Sequence, residues 1–165
     1  MMSDTALAVA AAGMVPLMLA IAYLDFRHLR IPNWSVLAVL GLFLATGSWG
    51  LPLDLFLWRL LYGVIALVAG FALYSVLSGQ IGAGDLKLFA VLVPFLSGAN
   101  WVDFLILYAL LSIAGLLLYF TARKIVAGRT TGYRALDKRG YFPAGILLGL
   151  SMSGALLIEL GERMG

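Results

Sequence analysis

Apolar runs near the length of a bilayer crossing, broken by short polar clusters, leave this chain very few architectures. Six are visible: Thr5 to Leu24, Trp34 to Gly47, Leu55 to Ser78, Leu86 to Ser97, Val102 to Ala122 and Phe142 to Leu160. Hydrophobic residues make up 63% of the 165 and charged residues only 12%, too few charges to coat a water-soluble core of this size. In lipid every backbone polar group must be satisfied within the protein, and an α-helix does this segment by segment. The expected fold is therefore all-α: a polytopic membrane protein with six transmembrane helices in one bundle, residues 1–165 forming a single domain.

Two of the runs are short. Leu86 to Ser97 rises only about 18 Å as a helix, against a hydrocarbon layer about 30 Å thick. Part of the stretch Gly79 to Asp85 is therefore expected at membrane depth, shielded by protein. The Ala-rich first run has the look of a signal peptide, but Asp4 and no Lys or Arg precedes it, so it is expected to persist as the first helix.

Basic residues orient the bundle. With the N-terminus outside, the three cytoplasmic loops carry Arg27 and Arg30; Lys87; and Arg123, Lys124, Arg129, Arg134, Lys138 and Arg139, nine of the eleven basic residues. Arg59 and Arg163 remain outside with Asp4, Asp54, Asp103, Glu159 and Glu162. Both termini are thus expected to be extracytoplasmic. The same placement removes the nucleic-acid reading that a net charge of +3 invites, because the basic residues sit at the ends of apolar runs. Topogenic charge accounts for the loop from Arg123 to Gly140, which could also meet acidic lipid headgroups or guide a substrate. Trp34, Trp49, Trp58 and Trp101 fall at run boundaries, where an indole anchors to the interface. Gly145, Gly149 and Ser153 recur every four residues and offer a small-residue face for helix packing.

Against this apolar background the residue to explain is Asp85, set behind Gly82-Ala83-Gly84 and ahead of Leu86-Lys87-Leu88. A carboxylate near the membrane loses hydration and is a functional candidate by default. Glycine opens backbone angles closed to other residues and lets a second chain come close. Asp25, at the end of the first run, is its natural partner: the topology puts both acids at the same face and similar depth. Two neighbouring carboxyls share a proton, so one can activate water while the other hydrogen-bonds a scissile carbonyl and helps protonate the leaving amine. Taken singly each has a plainer reading: Asp25 as a solvated loop acid paired to Arg27 or Arg30, Asp85 as a helix N-cap. In the segment that follows Asp25, Pro32 marks a turn and Asn33 is a candidate cap for the next helix.

Asp25, five residues, then Ile31-Pro32-Asn33, with Gly82-Ala83-Gly84-Asp85-Leu86-Lys87-Leu88 about sixty residues on, resembles the type IV prepilin peptidase family. These are GxGD-type intramembrane aspartic peptidases, similar in motif to presenilin and signal peptide peptidase. The resemblance covers essentially the whole chain. It implies that Asp25 and Asp85 are the catalytic pair, that Gly82 and Gly84 shape the backbone presenting Asp85, and that Lys87 is the basic residue the family places after it. It also implies a substrate, a prepilin-like membrane precursor whose basic leader is cut off at the cytoplasmic face of the bacterial inner membrane, just before an apolar helix. No cofactor or metal is implied. The cysteine-bearing insertion of the large bifunctional members has no counterpart, there being no cysteine and only a short segment from Phe26 to Asn33. A small peptidase-only form, like those of tight-adherence pilus systems, is expected, without methyltransferase activity. Phe142-Pro143-Ala144-Gly145 stands where many relatives have Pro-Tyr-Gly.

Other chemistries have little support. His28, the single histidine, sits at an interface with no His-Glu-x-x-His pattern around it, and no Gly-x-Ser-x-Gly occurs. The rival from another class is a small proton- or cation-coupled transporter using Asp25 and Asp85 as relay groups, which would show deeper carboxylates and paired half-helices. A catalytically idle assembly factor of the same fold is a third.

Overall fold

A computed structural model describes residues 1–76, 82–98, 100–126, 131–137 and 144–165. Expectations placed on Gly79, Gly128, Arg129, Thr130, Lys138, Arg139, Phe142 and Pro143 lie outside the described residues. Within them every regular element is a helix: α1 (Asp4–His28), α2 (Asn33–Gly50), α3 (Leu53–Val76), α4 (Ala83–Leu92) continued by a 3-10 turn (Val93–Phe95), α5 (Trp101–Ile125), α6 (Arg134–Asp137) and α7 (Ala144–Met164).

The apolar runs reappear as helices, with three differences. First, α1 does not stop at the end of its apolar run but continues through Asp25-Phe26-Arg27-His28, so Asp25 belongs to the last helical turn and not to a loop. The helix ends at Leu29, which adopts the left-handed conformation (φ 50°) and donates its N–H to the Asp25 carbonyl at 2.7 Å. Second, Asn33 does not cap α2. Pro32 holds the capping position without a side-chain bond, and Asn33 is the first helical residue. Third, the short α6 has no apolar run of its own. Asp137 organises it, accepting hydrogen bonds from the Thr131 and Gly132 N–H groups at 3.0 and 3.1 Å, which hold its carboxyl below the usual carboxylate range.

Among the described helices, α1, α3, α5 and α7 are long and apolar enough to cross a membrane. Of their apolar windows, 56% of residues in α7 and 33% in α1 are buried, against 11% in α3 and in α5. The first pair is therefore the interior of the bundle, and the second presents most of its surface outward. Along α7 the small residues do what their spacing suggests: a Cβ on Gly149 would lie 2.9 Å from Met18 Sδ, so the two inner helices touch there through the glycine. Met14, Met18 and Ile21 of α1, Leu88 and Leu92 of α4, and Met152 and Leu156 of α7 form the sealed core between them. On the flanks α3 packs on α4, and α5 on α7.

Successive long helices run in alternating directions, so the bundle has two distinct ends. The far end is tied by polar contacts: Ser3 N donates to the Gly50 carbonyl at 2.8 Å, and Arg163 Nη1 to the Met2 carbonyl at 2.6 Å. There Asn100, fully buried, gives its amide to Glu159 Oε2 (2.6 Å) and the Phe95 carbonyl (3.2 Å), and accepts the Ser97 N–H at 2.8 Å. Glu159 also pairs with Arg163, which reaches Asp4 at 3.2 Å. At the opposite end lie the close of α1 and the starts of α2, α4 and α7.

Candidate active site

Two carboxyls lie at that opposite end, each beside a glycine: Asp25 against Gly145 of α7, Asp85 against Gly82 at the start of its own helix. Asp25, one turn before the end of α1, is only 5% exposed. Its Oδ2 accepts the backbone N–H of Gly145 at 3.1 Å. The first N–H groups of a helix have no partner within it, and α7 begins at Ala144, so the buried acid and the helix start satisfy one another. A Cβ on Gly145 would come within 3.0 Å of Asp25 Oδ2 and 2.7 Å of Ile31 Cδ1.

Asp85 occupies the first turn of α4, its N–H bonded to the Gly82 carbonyl at 3.1 Å. The side chain folds back over Gly82, where a Cβ would lie 2.6 Å from Asp85 Oδ2. Gly82 itself has φ −64° and ψ 125°, open to any residue, so the glycine is needed for room and not for backbone angle. Gly84 follows the same logic: a Cβ there would press on Ile31 Cβ at 3.2 Å. Ile31 is thus wedged between α4 and α7, against the two glycines that neighbour the two acids.

Both aspartates line one cleft of about 640 Å³, closed on its other sides by Leu29, Ile31 and Pro32 and rimmed by Arg30, Asn33 and Lys87. Lys87 Nζ donates to Asn33 Oδ1 at 3.4 Å across the rim, which joins the Ile31-Pro32-Asn33 segment to α4. The plainer readings of the two acids do not describe this arrangement. Arg27 turns away to the Tyr23 hydroxyl at 2.6 Å, no ion pair among the described residues involves Asp25 or Asp85, and the cap of α4 is Gly82. His28 is exposed. Among the described residues no three His, Cys, Asp or Glu side chains gather as metal ligands.

All five residues singled out in the sequence, Asp25, Gly82, Gly84, Asp85 and Lys87, border this cleft. Missed were the Gly145 N–H, which the small-residue spacing assigns only to packing, and Ile31, which reads as part of a turn. Two carboxyls over one cleft can hold a proton between them, leaving one as base and the other as hydrogen-bond donor.

A helical bundle with four helices long and apolar enough to cross a membrane, and a cleft at one end lined by two carboxyls, defines the class: an integral membrane protein. The particular family follows from the chain itself: the model of the type IV leader peptidase family matches residues 12–120, more than half its length. The protein belongs to that family and is a peptidase. The match spans both aspartates and stops before α7. No curated protein and no solved structure matches the chain significantly.

Proposed function

We propose that this protein is an aspartic endopeptidase that removes the leader from prepilin-like precursors at the cytoplasmic face of the bacterial inner membrane, with both termini extracytoplasmic. The observation that carries the reading is the convergence of Asp25 and Asp85 on one cleft at one end of a membrane bundle, in a chain of the leader peptidase family. The pair holds a water between its carboxyls. One carboxylate takes a proton from that water as it attacks the scissile carbonyl, while the other, protonated, hydrogen-bonds the carbonyl oxygen. Collapse of the tetrahedral intermediate breaks the C–N bond, and a carboxyl proton passes to the departing amine. The Gly145 N–H keeps Asp25 in the rotamer this requires.

In this reading α2, about 27 Å long as a helix of 18 residues, and α4 with its 3-10 turn complete six crossings. The short α4 is tolerable because it packs against α2, α3 and α7 and is not left to lipid. Lys87 holds Asn33 and so sets the rim, and the activity is peptidase only. Co-expression with a tagged prepilin tests the reading: the unaltered protein shortens the precursor, and Asp25→Asn or Asp85→Asn abolishes shortening while the variants accumulate in the membrane. Full cleavage by either variant rejects the paired-acid mechanism. Ion or solute flux through the purified protein with no shortening favours the transporter.

A further inference from the structure

A second cavity, of about 660 Å³, runs along the outside of the bundle between α2 and α3 with α4 as its floor. Its walls are apolar, Leu40 and Leu44 on one side and Leu67 and Phe71 on the other, and its floor includes Ala90. Leu44 and Phe71 are 41% and 49% exposed, so the groove is open sideways to lipid along its length. It is closed at the far end, where Phe43 stacks on Phe56 with ring centres 5.6 Å apart and α2 and α3 converge. The two helices make little contact overall, and the groove extends to the site end. There the groove meets the cleft, because Asn33 and Lys87 line both.

We propose that this groove seats the membrane helix of the peptidase substrate. The inference rests on the leader-peptidase reading and adds the route by which the helix is held. A precursor with its scissile bond at the acid pair has a polar segment on one side of the bond and an apolar helix on the other. The cleft mixes apolar walls with the charged or polar side chains of Asp25, Arg30, Asp85 and Lys87, the groove is almost wholly apolar, and they join at the Asn33–Lys87 rim, so one continuous chain of that character occupies both. Direction agrees as well: the occupant's helix starts at the site end and runs towards the blind end. The lining residues on α2 span Asn33 to Leu44 and those on α3 span Leu60 to Phe71. Each is about 16 Å at 1.5 Å per residue, which is three turns of an incoming helix. One face of that helix packs on the walls while the other stays in lipid, so entry needs no parting of the sealed core.

The chain has no cysteine, which makes single introduced cysteines informative. Leu40→Cys and Leu67→Cys, each in an Asp85→Asn background, are cross-linked in membranes to a prepilin carrying one cysteine at successive positions after the cleavage site. Leu117→Cys, 66% exposed on α5, serves as control. The groove cysteines are expected to capture the first three turns of the prepilin helix with helical periodicity, and Leu117→Cys to capture none. Equal capture from Leu117→Cys, or a groove labelled by a photoreactive phospholipid and never by prepilin, overturns the proposal. A second measurement covers variants that do not accumulate: Leu67→Trp raises KM for the membrane-bound precursor about tenfold, and Leu117→Trp leaves it unchanged. Unaltered KM in Leu67→Trp also overturns the groove. Failure of the unaltered protein to cut prepilin rejects the leader-peptidase reading separately, and cross-linking still reports whether the helix binds.

Discussion

The carboxyl pair depends on positions that have no side chain. At Gly145 an added methyl would meet both Ile31 Cδ1 and Asp25 Oδ2; the Ile31 methyl ends a flexible side chain and can swing aside, whereas Asp25 is tied to the same residue's N–H and must shift. Gly145→Ala is therefore expected to displace Asp25 by a fraction of an ångström to about 1 Å, a shift that costs on the order of a hundredfold in rate when it falls on a reacting group. Gly41→Ala is the matched control, since a Cβ there meets nothing within 4 Å. It should leave the rate unchanged and favour the helix by up to about 1 kcal/mol. Cleavage kinetics of the two variants decide the matter: equal rates would mean that Gly145 only packs. This scale also shows what the sequence could and could not reveal. Asp25 and Asp85 stand out because carboxylates are scarce in apolar runs. The donor to Asp25 is a backbone N–H, which every residue but proline carries, so no letter marks it. Its glycine was visible only as one member of a packing stripe.

Elements were legible to the extent that hydropathy speaks for them. Hydropathy marks where lipid ends, not where a helix ends, and so α1 overruns its apolar run by the turn that carries Asp25. For the same reason α6, four residues long, left no trace; it is placed by Asp137 and by Tyr133, whose ring lies 5.3 Å from that of Phe26 beside the cleft. Glu159, placed outside by the charge count, has a larger part than that count suggests. It joins the turn before α5 to α7, and through Arg163 to α1. Glu159→Ala leaves the buried Asn100 amide short of an acceptor, a loss of about 1–3 kcal/mol. The cost stays below that of a fully buried broken ion pair because Arg163 keeps Asp4 and the Met2 carbonyl. Glu159→Gln retains an oxygen for Asn100 and should lose less. Thermal unfolding in detergent is expected to rank the unaltered protein above Glu159→Gln and Glu159→Ala last. Cleavage at low temperature should survive in both, since the network lies at the end away from the acids. Identical melting temperatures in all three would show the network to be energetically idle.

For the molecule as a whole, the alternating helix directions turn a list of loop charges into two poles. The close of α1, the start of α4 and the end of α5 share one end, so Arg27, Arg30, Lys87, Arg123 and Lys124 gather near the acids, while Asp4, Asp54, Glu159 and Glu162 gather at the other. Placing an Arg or Lys at the bilayer centre costs about 2.5–3.5 kcal/mol each on insertion scales, so the orientation proposed above keeps the basic pole in the cytoplasm. The carboxyl pair goes with it, and so does the polar leader of any precursor whose helix lies in the α2–α3 groove. Orientation and substrate polarity are thus one claim. A membrane-impermeant maleimide applied to intact cells is expected to label Ser48→Cys and Gly165→Cys at the far end, and to label Arg134→Cys only after the membrane is opened. The reverse pattern would set the acids on the outer face, away from a precursor whose leader has not crossed the membrane. The proposed leader cleavage would then fail on topology, even with both carboxyls intact.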